Sequence, residues 1–82
     1  MKRLMLKEVL AGYRMRDEIR IRIEGNILIF CGTVIRFRRK CIFRQFSKYM
    51  NYKMIATEEC ENGVFVLRIF NPETYNYAGK DT

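Results

Sequence analysis

The basic residues in the middle of the chain are the ones whose types and spacing could do chemistry. Between positions 25 and 57 there are seven Lys or Arg and no Asp or Glu, and aromatic rings lie among them. Such cations neutralise phosphates and give a salt-dependent affinity that tolerates many base sequences. Bases of single strands stack on exposed rings and on arginine planes. The cations are Arg36, Arg38, Arg39, Lys40, Arg44, Lys48 and Lys53, and the aromatics are Phe37, Phe43, Phe46, Tyr49 and Tyr52.

This cluster also has a purely structural explanation, in which the phenylalanines belong to the core and the arginines form a solvated face. For any one phenylalanine we favour the core, whereas the cluster as a whole favours nucleic acid. The net charge of +7 is uneven, because from Glu58 onward five acids stand against two bases. A block of one sign attracts a polyanion. RNA or DNA is therefore the first candidate partner and an anionic membrane surface the second.

Residues for catalysis or metal binding are absent from the sequence pattern. The three cysteines, Cys31, Cys41 and Cys60, have no CxxC spacing, and the chain has no histidine, so mixed Cys/His zinc sites are excluded. Three buried thiols in a reducing cytosol are the expectation. No nucleophile elbow and no Gly-rich phosphate loop is present. We expect no enzymatic activity, no cofactor, no metal and a cytoplasmic location.

The sequence pattern predicts neither a signal peptide nor a membrane span. Charged residues interrupt the first twelve positions, and the longest apolar stretch, Ile27 to Ile35 with Gly32 and Thr33 inside it, is short. A membrane-spanning helix needs about 20 apolar residues. We expect no membrane insertion.

Local patterns predict one helix and two hairpins. Helical spacing of apolar residues from Leu4 to Leu10, followed by Gly12, predicts a helix within 1–12. The stretch EIRIRIE alternates strictly and predicts a half-buried strand. Gly25-Asn26 then predicts a tight turn into a strand from Ile27 to about Phe37, in which Gly32 marks a bend or a close backbone approach. Asn62-Gly63 predicts a second hairpin, and Pro72 ends the last strand.

Residues 38–50 are ambiguous between a helix and a strand. Apolar residues at Ile42, Phe43, Phe46, Tyr49 and Met50 fit one face of a helix, which gives the order α-ββ-α-ββ. A third strand beginning near Cys41 gives instead one helix and a five-strand meander.

The middle of the chain resembles the first Sm motif of the Sm, LSm and Hfq proteins. The residues at the motif's spacing are Phe30, Gly32, Val34, Phe37, Cys41, Ile42 and Phe43. Tyr52 and Lys53 match the Tyr-Lys pair of the second Hfq motif, where Met54 stands in place of its histidine. Arg38 occupies the position of the first motif's aspartate. The resemblance covers about residues 4–57 and implies a ring-forming RNA-binding protein in which Tyr52 and Lys53 help hold uridine-rich RNA near the pore.

Together these observations predict a mainly β protein, a small five-strand bent antiparallel SH3/Sm-like barrel with an N-terminal α-helix. The alternative is an α+β domain in the order α-ββ-α-ββ. We expect a single domain over 1–82, with the helix at 1–12, the barrel at 13–71 and a polar tail at 72–82. The expected function is single-stranded RNA binding by a homo-oligomer. The alternative is a small phage or mobile-element interaction or inhibitor protein that binds a partner protein or nucleoprotein through its basic face.

Overall fold

The described residues form a small, mainly β structure with five strands in one mixed sheet and two α-helices. The computed structural model describes residues 3–43 and 46–74. The elements in chain order are α1 (Leu6–Leu10), β1 (Glu18–Ile23), β2 (Ile27–Thr33), α2 (Val34–Ile42), a 3-10 helix (Ser47–Asn51), β3 (Lys53–Met54), β4 (Glu59–Glu61) and β5 (Val64–Phe70). The predicted N-terminal helix and the predicted number of strands are confirmed. Within the predicted tail, residues 75–82 lie outside the described part of the chain.

The strands are arranged in the order β2-β1-β5-β3, and β4 pairs with the same edge of β5 as β3 does. β1 and β2 form the predicted hairpin, in which Gly25 and Asn26 both have positive φ angles of 84° and 63°. The Asn62-Gly63 hairpin joins β4 to β5 and is confirmed in the same way. β1 and β5 run parallel, however, so the all-antiparallel arrangement was wrong. The sheet has β2 at one edge and β3 with β4 at the other, and it is not closed into a barrel.

The segment after β2 forms a helix. β2 ends at Thr33 rather than near Phe37, and the Thr33 hydroxyl caps α2 by accepting from the Arg36 N–H at 3.4 Å. The predicted strand beginning near Cys41 is therefore wrong, and the alternating helix-and-hairpin alternative describes this part of the chain better. The physical reason is packing, because Val34 and Phe37 lie one helical turn apart and both are fully buried.

Gly32 makes the close approach that its mid-strand position predicts. Its φ is +156°, and a Cβ built there would lie 3.1 Å from the Phe30 ring. A side chain at this position would push against that ring, so the glycine lets β2 end with Phe30 packed close to the backbone.

The core lies between one face of the sheet and the two helices. Its fully buried side chains come from α1, β1, α2 and β5, and they are Leu6, Leu10, Ile19, Ile21, Val34, Phe37, Leu67 and Ile69. Both helices thus cover the same face of the sheet. The opposite face, called here the outer face, carries no helix from the described part of the chain. No helix in residues 3–43 and 46–74 has the length and apolarity that crossing a membrane would require. The prediction of three buried cysteines is wrong, since Cys31 and Cys60 are exposed and Cys41 is half-buried.

Tyr13 couples the stability of this core to alkaline pH. Its ring stacks on Phe65 with 4.6 Å between centroids, and its hydroxyl is buried without a hydrogen-bond partner in the described residues. Burial, with smaller contributions from Glu58 and Asp17, raises the pKa of Tyr13 to about 12 from its ordinary value of 10.0. Above pH 10 the unfolded chain loses this proton first, so the free energy of unfolding falls as pH rises towards 12.

We expect the Tyr13→Phe variant to lack this component of the alkaline decline. Urea unfolding of the wild-type protein and the variant at a series of alkaline pH values measures this component. The titration of lysine and arginine is common to both proteins, so the difference between their declines isolates Tyr13. Parallel declines in the two proteins would contradict the assignment.

Candidate nucleic-acid interface

Four cations of the predicted site lie on α2. Arg36 and Arg39 are exposed, and Arg38 and Lys40 are half-buried. Within the described residues none of the four forms an ion pair with an acidic side chain. The helix also has no acid in its first turn, while Arg39 and Lys40 lie in its last turn, where the helix dipole favours positive charge. α2 therefore presents cations that no carboxylate of the described residues neutralises.

A file of aromatic rings joins α2 to the 3-10 helix. It starts in the core, where the Phe37 ring stacks on Phe46 with 5.8 Å between centroids. Phe46 contacts Tyr49 at 5.6 Å, and Tyr49 meets Tyr52 edge-on at 5.0 Å. These last three rings are half-buried. The file fixes the 3-10 helix beside α2 and brings its residues onto one surface with the α2 cations.

Two lysines lie over rings of this file. The Lys40 ammonium is 5.6 Å from the Phe46 centroid, and the Lys48 ammonium is 5.2 Å from that of Tyr49. Both are within the range of a cation–π contact. We call the combined surface the basic-aromatic surface and define it by Arg36, Arg38, Arg39, Lys40, Phe43, Phe46, Lys48, Tyr49 and Tyr52. The contacts place positive charges next to ring faces, which is the pairing that a nucleotide's phosphate and base require.

Arg38 has an unused donor at this surface. Its Nε is buried and makes no hydrogen bond within the described residues. The Arg38 charge also acts on the neighbouring Cys41. Burial raises the pKa of the Cys41 thiol, and the positive charge of Arg38 partly opposes that shift. A buried donor without an acceptor costs about 1–3 kcal/mol.

Phe43 is the one exposed aromatic side chain among the described residues. It is 76% exposed at the C-terminal end of α2, beside the equally exposed Ile42 at 73%. The sequence indicated Phe43 as an interleaved aromatic but not as a site residue, because periodicity did not show that it points away from the core. An exposed ring next to the α2 cations is suited to stacking on a base.

The structure brings together most of the predicted site residues, but not all. Lys48 and Tyr52 share the surface with the α2 cations, whereas Lys53 does not. Met54 is in the core, so Lys53, the preceding residue of β3, lies on the outer face. Arg44 lies outside the described residues.

Sequence reasoning did not identify a second group of cations, on the outer face. Arg20 and Arg22 of β1 alternate with buried Ile19 and Ile21, and Arg22 lies beside Arg68 of β5 in parallel register. The alternation of EIRIRI indicated that the two β1 arginines lie on the face opposite the buried isoleucines. Glu59 pairs with Arg68 at 3.5 Å on the same face, so charges of both signs are mixed there, in contrast to the basic-aromatic surface.

Comparisons with protein-family models, with curated proteins and with solved structures found no match for this chain.

Proposed function

We propose that this protein binds single-stranded RNA through the basic-aromatic surface. The observation that carries the proposal is the combination of four α2 cations, none of which pairs with an acid in residues 3–43 and 46–74, and a neighbouring file of rings that ends in half-buried tyrosines. Phosphates of a bound strand would lie along α2, and a base would stack on Phe43. Binding of this kind depends on charge and stacking more than on base identity.

The proposal depends on the α2 surface and not on a ring of Sm type. The resemblance implies a strand where residues Val34 and Phe37 lie, and here both are in α2. It also places Tyr52 and Lys53 together at a pore, whereas here they project towards different sides of the sheet. The α2 cations and Phe43 are therefore the residues to which we assign RNA contact.

We expect the protein to bind oligo(U) RNA with an affinity that falls linearly in a plot of log K against log salt concentration. For single strands the slope is about −0.7 per phosphate neutralised. If Arg36, Arg38, Arg39, Lys40 and Lys48 each contact one phosphate, the slope is about −3.5. Fluorescence anisotropy with a labelled oligonucleotide at several salt concentrations measures it.

An absence of binding to oligo(U) at low salt would overturn the proposal. The interaction-protein alternative would then account for the basic-aromatic surface, with Ile42 and Phe43 as its apolar contacts. A duplex RNA of equal length is the control ligand, because paired bases cannot stack on Phe43. Stronger binding to the duplex than to the single strand would contradict the role of the rings.

A further inference from the structure

The two edges of the sheet are built differently. One edge consists of β3 and β4, which have two and three residues and carry Lys53, Glu59 and Glu61. The other edge is β2, which has seven residues, ILIFCGT, with no charge and no proline. Proteins protect sheet edges with short strands, charged side chains and prolines, because an unprotected edge pairs with another strand. The first edge has these protections, whereas β2 lacks them.

β2 also exposes large apolar side chains. Ile27 is 61% exposed and Leu28 is 46% exposed, side by side at the start of the strand. Among the described residues β2 pairs only with β1. One irregularity is present, because Ile21 pairs with Phe30 while Arg22 pairs with Leu28, which leaves Ile29 as an extra residue. The remaining residues of β2 keep their pairing with β1. No described strand pairs with the backbone groups of β2 that point away from β1, so a further strand can pair there.

We propose that β2 pairs antiparallel with β2 of a second copy of this chain, which gives a symmetric dimer with one continuous ten-stranded sheet. A second copy fits this edge because β2 is uncharged. Each chain carries a net charge of +7, yet pairing β2 with itself sets no like charges opposite each other across the new ladder. An isologous contact of this kind closes at two subunits. The contact also covers Ile27 and Leu28. A small domain gains stability when such apolar surface is buried by a second subunit.

The symmetry of this dimer determines where the two α2 helices lie. A two-fold axis that relates antiparallel neighbours in one sheet is perpendicular to the sheet, so it keeps each face on its own side. α2 follows β2 directly and packs over it, with 5.2 Å between the Phe30 and Phe37 ring centroids. Both α2 helices therefore flank the joint on the same side, and the two basic-aromatic surfaces become neighbours. One RNA strand that crossed both would bind with avidity, a consequence that rests on the proposed function, whereas the dimer itself does not.

Sedimentation equilibrium of the full chain without RNA tests the dimer. We expect a mass of twice the 9.9 kDa of the chain, and tighter association at higher salt, because screening weakens the repulsion between two positive subunits. The Ile27→Lys/Leu28→Lys variant places four extra charges at the joint and is expected to be monomeric. A monomeric wild-type protein, or an assembly larger than a dimer, would overturn the proposal.

The matched control is Leu4→Lys/Met15→Lys. Leu4 and Met15 are 56% and 51% exposed and lie outside β2, so this variant adds the same charge and removes similar apolar surface. It should remain dimeric, and circular dichroism establishes that both variants fold. Dissociation of the control to the same extent would show that added charge, and not the β2 edge, controls assembly, and would overturn the proposal. A dimer that fails to bind oligo(U) leaves this inference standing and removes the proposed function, while a monomer that binds it does the reverse.

Discussion

Replacement of Phe37 by alanine is expected to lower the free energy of unfolding by about 3–5 kcal/mol. Phe37 is fully buried, and its ring is 5.2 Å from Phe30 and 5.8 Å from Phe46, measured between centroids. The substitution removes the side chain that attaches α2 to the sheet and starts the aromatic file. The total free energy of unfolding of a native protein is about 5–15 kcal/mol, so the variant should lose a large fraction of its stability and unfold at a much lower urea concentration.

Phe43→Ala is the matched control for that prediction. It is the same substitution at the end of the same helix, but Phe43 is 76% exposed. Exposed substitutions away from special features change stability by about 0.5 kcal/mol or less. Urea unfolding followed by far-ultraviolet circular dichroism compares the two variants. Equal losses of stability at both positions would contradict the packing of α2 described here.

The second large expected effect is on RNA affinity. Arg36→Gln/Arg39→Gln should weaken binding to oligo(U) about 25-fold at 0.1 M monovalent salt and make the salt slope shallower by about 1.4, which is two phosphate contacts at about 0.7 each. Both side chains are exposed and make no ion pair within the described residues. The double variant therefore removes phosphate contacts without breaking internal salt bridges.

Arg20→Gln/Arg68→Gln is the control for RNA affinity, because it removes the same number of arginines from the outer face. Arg20 and Arg68 lie on the side of the sheet away from α2. If the basic-aromatic surface binds the RNA strand, this control loses affinity only through its lower net charge. Its salt slope then stays close to that of the unmodified protein. Equal losses in the two double variants would show that binding follows net charge, and the α2 site would be wrong.

Local sequence patterns predicted the elements that local forces determine. The alternation in EIRIRI predicted β1, because neighbouring side chains of a strand point to opposite faces. Gly25-Asn26 and Asn62-Gly63 predicted the two hairpins, since their positive φ angles are readily adopted by glycine and asparagine. The spacing of apolar residues before Gly12 likewise predicted α1.

The helix α2 was not predictable from the same patterns. Val34 and Ile35 are β-branched and continue the apolar run of β2, which favours a longer strand. The helical spacing of Val34 and Phe37 competes with this preference, and their burial against a sheet that includes the distant β5 decides for the helix. The parallel pairing of β1 with β5 is likewise non-local, because it joins segments more than 40 residues apart.

The sequence by itself determined the strands of the hairpins, the N-terminal helix and the acid-free block of cations. Each of these depends on neighbouring residues or on charge counted along the chain. Only the tertiary structure decided that Arg36, Arg38, Arg39 and Lys40 share one helix, that Lys53 lies on the other face, and that β2 lies at an edge of the sheet. The physical reason is that the face on which a side chain lies, and the strand that forms a sheet edge, depend on which distant apolar side chains are buried together. That burial is a property of the whole core and not of any one segment.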